Sequence, residues 1–112
     1  MLLGLGDDAP SEIKKPRIAK IFEIESQVQV VELACGGMHT MALANNGVVF
    51  TWGCQDNGAL GRLGKENVPL RVDGCLNIPV NGIAAGDTHS VVWNNELNQI
   101  FYWGSYKVSD LI

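Results

Sequence analysis

The sequence predicts an all-β fold: a partial β-propeller of about two blades, each a four-stranded antiparallel sheet. Three observations predict it. The stretch Gly47 to Gly64 sets one strand between two glycine-rich turns. A second copy of that pattern follows about 50 residues later. The chain also carries 13 glycines but only 7% aromatic residues, a composition suited to short strands joined by tight turns.

Val48, Val49, Phe50, Thr51 and Trp52 are β-branched or aromatic, the residue types that fit a pleated strand. Asn45-Asn46-Gly47 precedes them as a turn, since Asn and Gly tolerate positive φ. Gly53 ends the strand, and Gln55-Asp56-Asn57-Gly58 forms a polar turn before Leu60-Gly61. The repeat is seen by pairing Gly36-Gly37-Met38-His39-Thr40 with Gly86-Asp87-Thr88-His89-Ser90 at an offset of 50. Val49-Phe50-Thr51-Trp52-Gly53 pairs with Ile100-Phe101-Tyr102-Trp103-Gly104 at an offset of 51. The extra residue falls in the hairpin turn, where insertions are tolerated. Pro16-Arg17-Ile18 pairs more loosely with Pro69-Leu70-Arg71-Val72.

In chain order, Met1 to Lys15 is expected to be the tail of a preceding repeat. Pro16 to Glu25 is expected to hold an outer strand with an irregular loop, although Ile18, Ile21 and Phe22 sit at helical spacing. Val28 to Leu33 alternates poorly and predicts a buried strand. Thr40–Ala44 and Val48–Trp52 predict a hairpin across Asn45-Asn46-Gly47. Val68–Val72 predicts a short edge strand, because Pro69 cannot donate to a ladder. Asn81–Ala85, Ser90–Trp93 and Gln99–Trp103 predict the strands of the second copy. The resulting division is 1–33, 34–83 and 84–112: the junction of two repeats, one repeat, and an incomplete one. Two blades cannot close a ring, so the expectation is a piece of a longer protein or assembly between copies.

Composition excludes several classes of function. No apolar run approaches the roughly 20 residues of a membrane span. The net charge of −4 argues against direct nucleic-acid binding by this chain. Lys14-Lys15, Arg17 and Lys20 form the one basic cluster, best explained as a solvated loop. Cys35, Cys54 and Cys75 have neither a zinc spacing nor the even count of a disulfide framework. Cys35 and Cys54 adjoin strand-like runs, which predicts buried, reduced thiols and an intracellular setting. No nucleophile elbow is present, and nothing places His39 or His89 against Asp87 or Cys54 for catalysis. Neither a metal nor a cofactor is expected.

Laid out this way, the motifs resemble the regulator of chromosome condensation repeat family, whose members form seven-bladed propellers. The resemblance rests on Gly36-Gly37-Met38-His39-Thr40, Gly47-Val48-Val49-Phe50-Thr51-Trp52-Gly53 and Asp56-Asn57-Gly58-Ala59-Leu60-Gly61-Arg62. It extends from Leu3 to Tyr106. The Trp-Asp ending of WD-repeat blades is missing. In their order, the motifs are most similar to the early blades of the family's exchange factor for the small GTPase Ran. The resemblance implies a non-covalent exchange function on chromatin in the nucleus, with chromatin contacts made by parts outside this chain. It implies partner contacts at Asp87 and His39; Arg62, which follows the turn, is a further candidate contact, with a solvated surface residue as the equal alternative. Tyr106 and Lys107 would begin a wedge-like element after the strand Gln99–Trp103. With an unfinished wedge, this chain alone is expected to exchange nucleotide poorly.

Each site residue also has a structural explanation. His39 recurs as His89, which favours a scaffold role at a strand start. Asp87 is replaced by Gly37 in the first copy, so the blade does not require it, and it is the stronger functional candidate. Asp56 and Asn57 suit a turn. Trp52 and Trp103 hold equivalent positions and suit the core, whereas Trp93 has no aromatic counterpart. The alternative from another class is a passive interaction propeller: a scaffold, a ubiquitin-ligase arm or an inhibitor.

Overall fold

A computed structural model describes residues 15–16, 28–55, 58–73 and 79–105. Among these residues, seven strands form two antiparallel sheets: β1 (Val30–Cys35), β2 (His39–Ala44), β3 (Val49–Gly53), β4 (Leu70–Arg71), β5 (Gly82–Ala85), β6 (His89–Asn94) and β7 (Gln99–Gly104). The first sheet is a four-stranded meander, β1-β2-β3-β4; the second has the order β5-β6-β7. Each sheet is one blade. The all-β expectation and the two predicted hairpins are observed. Pro16 to Glu25 falls outside the described residues apart from Pro16 itself, as do Asp56, Asn57, Cys75, Tyr106 and Lys107.

The register explains the repeat. His39 lies opposite Gly53 and Thr40 opposite Trp52, as His89 lies opposite Gly104 and Ser90 opposite Trp103. Gly53 and Gly104 both have positive φ, 117° and 111°. A Cβ on Gly104 would also run into the Thr88 carbonyl oxygen, so glycine is needed there twice over. In each copy the glycine three residues before the histidine lies beneath the imidazole. A Cβ on Gly36 would strike the His39 ring, and one on Gly86 the His89 ring. The Gly-x-x-His spacing is therefore a packing requirement.

Two apolar layers hold the blades. Met41, Leu43, Val49, Val72 and Val80 pack against Ile83 and Val92 of the second blade, with Phe101 and Trp103 at the margin. Val28, Ala42, Ala44, Phe50 and Trp52 form a second cluster on the other face of the first blade. β2 and β3 are covered on both faces, so their apolar residues run on without clean alternation.

Two expectations are corrected. The strand predicted at Val28–Leu33 is β1, and it is exposed over most of its length: Leu33 is 62% exposed, although its counterpart Ile83 is 4% exposed. Hydrophobic composition reports that a residue suits a covered position, not that something lies over it. Cys35 is likewise exposed and Cys54 half-buried, and both are free thiols. They sit at strand ends, where the side chain emerges from the sheet. Among the described residues, no helix is long and apolar enough to cross a membrane.

Candidate functional site

Antiparallel connectivity sorts the loops into two groups. Gly36–Met38, Cys54–Pro69 and Gly86–Thr88 lie at one end of the strands. The hairpin turns 45–48 and 95–98 lie at the other. At the first end the two blades touch. A Cβ on Gly37 would lie 3.1 Å from the Asp87 backbone oxygen and 3.2 Å from its Oδ1. Asp87 therefore projects beside a residue that has no side chain, and it is exposed. Met38, 55% exposed, flanks the same surface. Thr88 donates its hydroxyl hydrogen to the Ser105 carbonyl oxygen at 2.5 Å, which fixes the second loop.

A polar chain across the seam supports this end. His39 Nε2 lies 2.8 Å from Ser90 Oγ in the neighbouring blade. The Ser90 hydroxyl donates its single hydrogen to the Ala59 carbonyl oxygen at 2.7 Å. Its oxygen must then accept from His39, which places a hydrogen on Nε2. Trp103 Nε1–H donates to the same Ala59 carbonyl at 2.7 Å. His39 is only 3% exposed, so it stands beneath the surface rather than on it. Ser90 and Ala59 were not singled out from sequence; the signal available was the hydroxyl at both Thr40 and Ser90.

Burial, and after it the charge of nearby His89, hold the His39 imidazole below its ordinary value of 6.5, with a backbone hydrogen bond to His89 offsetting this in part. The folded state therefore favours the neutral ring and binds fewer protons than the unfolded chain. The stability it contributes is complete above 6.5 and is lost as pH falls below it. We expect the urea midpoint to drop between about pH 7.5 and about pH 5.5, and His39→Gln to flatten that slope. An unchanged midpoint in the wild type contradicts this.

Arg62 occupies a different kind of place. Its Nη1 donates to the carbonyl oxygens of Leu63 and Lys65 at 3.2 and 2.8 Å. Its Nη2 donates to those of Thr51 and Val68 at 2.6 and 3.0 Å. One guanidinium thus gathers the long loop onto β3. Gln55 completes the arrangement: its Oε1 accepts from Leu60 N–H at 3.0 Å and its Nε2 donates to the Arg62 carbonyl. The structure sets Asp87 on the surface at the seam beside Gly37, His39 buried at the seam against Ser90, and Arg62 in the neighbouring loop. Trp52 is buried and Trp103 serves the seam. Trp93 lies flat over Gly82, where a Cβ would meet its ring. Among the described residues, no group of three or more His, Cys, Asp or Glu is placed to hold a metal ion.

Two meandering blades, packed face to face through a shared apolar seam, define a β-propeller repeat protein. Residues 46–93 match the family model described as the regulator of chromosome condensation (RCC1) repeat, and residues 30–59 match a second model with the same description. The chain belongs to the regulator of chromosome condensation repeat family. It is 39% identical over 109 residues to the human regulator of chromosome condensation, an alignment covering 94% of this chain and 24% of that protein. It is 36% identical over 99 residues to the rat probable E3 ubiquitin-protein ligase HERC4, covering 85% of this chain and 9% of the ligase. Among solved structures it is similar to Prp20p from Saccharomyces cerevisiae, studied with its binding to Gsp1p and histones. The TM-score is 0.78 at 31% identity, over 96% of this chain and 27% of Prp20p. The chain thus spans about a quarter of the length of the regulators it matches.

Proposed function

We propose that this chain forms part of a guanine-nucleotide exchange propeller for a small GTPase of the Ran class, and that its loop end is part of the surface that receives the GTPase. The observation that carries the reading is Asp87. Its carboxylate projects at the seam beside Gly37, where the first blade has no side chain at all. The blade is built without it, so its presence is explained by a contact outside the blade. Similarity to the human regulator and to Prp20p, described with its binding to Gsp1p, supports the class of partner.

Such a surface works by linkage. It binds the nucleotide-free GTPase more tightly than the loaded one, which favours nucleotide release; nucleotide in turn expels the exchange factor. No covalent bond forms and no cofactor takes part. In this reading His39 acts from below, holding Gly36–Met38 against Gly86–Thr88. Arg62 shapes the neighbouring loop through its backbone hydrogen bonds, Tyr106 and Lys107 complete the partner-binding set, and the setting is nuclear, on chromatin. The similarity to HERC4 favours one alternative, a passive interaction arm of the kind carried by a ubiquitin ligase.

Calorimetric titration of nucleotide-free and GDP-loaded Ran into this chain tests the proposal. Preferential binding of the nucleotide-free form is expected, weakened about tenfold by Asp87→Ala, equivalent to about 1.4 kcal/mol. Equal affinity for both forms supports the passive arm. Preferential binding untouched by the substitution removes Asp87 from the site.

A further inference from the structure

Three loops meet at the end of the strands where Asp87 projects. Gly36–Met38 joins β1 to β2, Cys54–Pro69 joins β3 to β4, and Gly86–Thr88 joins β5 to β6. Among the described residues, the first two belong to one sheet and the third to another, so no strand ladder holds all three in register. The apolar seam presses the blades together, but burial of apolar surface has no directional preference. Directional contacts across the seam must set the register.

One oxygen atom makes them for all three loops. Ser90 lies in β6, two residues after Thr88. Its Oγ accepts from His39 Nε2–H at 2.8 Å, and His39 opens β2 directly after Gly36–Met38. Its own hydrogen goes to the Ala59 carbonyl at 2.7 Å, inside Cys54–Pro69. Ser90 is fully buried, so these bonds are shielded from solvent. The long loop of the first blade also rests on the second: Trp103 Nε1–H donates to the same Ala59 carbonyl, and a Cβ on Gly61 would strike the Trp103 ring. Within its own blade the loop is held by Thr51 Oγ1, which donates to the Leu60 carbonyl at 2.7 Å.

We infer that Ser90 is a positioning residue for the partner surface. Its hydroxyl locks Gly36–Met38, Cys54–Pro69 and Gly86–Thr88 into one unit and so sets where the Asp87 carboxylate stands when the GTPase arrives. The identity of that partner rests on the exchange reading. Ser90 itself does not touch the GTPase, since it is buried beneath the loops. A surface whose loops are already fixed loses little conformational freedom on binding, which raises affinity without adding a contact. Ser90→Ala keeps the strand pairing and the Trp103 bond but deprives the His39 Nε2–H of this acceptor and Ala59 of one donor.

Two measurements on the full chain test the inference. The first is amide exchange without any partner. Gly36, Cys54, Gly61 and Gly86 donate their N–H groups to the carbonyl oxygens of His39, Met38, Gly58 and His89, so each reports on one of the three loops. Ser90→Ala is expected to speed exchange about tenfold at all of them and to leave Gly47, bonded to Ala44 in the far hairpin turn, unchanged. Thr51→Val, which removes the loop's bond within its own blade, is expected to speed Gly61 but neither Gly36 nor Gly86. The second is calorimetric titration with nucleotide-free and GDP-loaded Ran. Ser90→Ala is expected to weaken binding of the nucleotide-free form about tenfold, and to weaken it little once Asp87 is already alanine, because no carboxylate remains to be positioned. Faster exchange in one loop alone, or equally at Gly47, overturns the inference. So does an affinity loss of the same size with and without Asp87. A wild type that binds both forms of Ran equally overturns the exchange reading and with it the partner role of Ser90; amide exchange, read without the GTPase, distinguishes that result from failure of the lock itself. Should Ser90→Ala unfold, the wild type decides: the Gly36, Cys54, Gly61 and Gly86 amides must open together with one dependence on denaturant, and separate openings overturn the inference.

Discussion

Phe50→Ala is expected to leave the chain largely unfolded. Phe50 is fully buried, on the face of the first blade where Val28, Ala42, Ala44 and Trp52 converge. Truncation removes the ring and leaves a cavity, for a loss of about 3–5 kcal/mol. The whole stability of a small domain is about 5–15 kcal/mol, and a chain of this size lies toward the low end. β3 also anchors both β2 and β4, so the damage does not stay local. Far-ultraviolet circular dichroism with a urea titration measures the effect. A midpoint close to that of the wild type contradicts the packing described.

Gly36→Ala is the second. The substitution adds a single methyl group, but that group meets the Gly86 carbonyl oxygen in the neighbouring blade and the His39 ring in its own. The carbonyl belongs to the backbone and cannot turn away as a long side chain would. The ring is tied to Ser90 and cannot leave without breaking the seam's polar chain. Overpacking of this kind costs about 1–3 kcal/mol. The strain falls on the contact between blades rather than inside either one. Hydrogen exchange is therefore expected to rise first at the loop end, in Gly36–Met38 and Gly86–Thr88. A uniform rise across both sheets contradicts the seam as the weak point.

Much of the fold was legible because the repeat constrained it. One copy of Gly-x-x-His is ambiguous, but Gly36–His39 and Gly86–His89 at the same distance from paired strands fix register and hairpin together. The reason for the spacing was not legible, since it lies in where the imidazole rests over the glycine. The exposure of Leu33 was hidden for a related reason: a strand's composition does not state what covers it. Arg62 illustrates the limit for the site. A charged residue after a turn suggests a surface contact, yet four backbone carbonyls converge on its guanidinium, and a three-dimensional loop is needed to bring them there. Asp87 stood out because the two copies differ at that place. Ser90 did not, because a serine opposite a threonine looks like ordinary repeat variation. Its role appears only when the second blade is laid against the first.

The claim that the loop end is the partner surface has a direct test. Isotopically labelled chain is titrated with nucleotide-free Ran, and backbone amide shifts are followed residue by residue. The account predicts perturbation at Gly37, Met38, Asp87 and Thr88, with the hairpin turns at Asn45-Asn46 and Asn95 to Asn98 unmoved. Shifts centred on those hairpin turns, or none at concentrations that saturate a full-length exchange factor, contradict it.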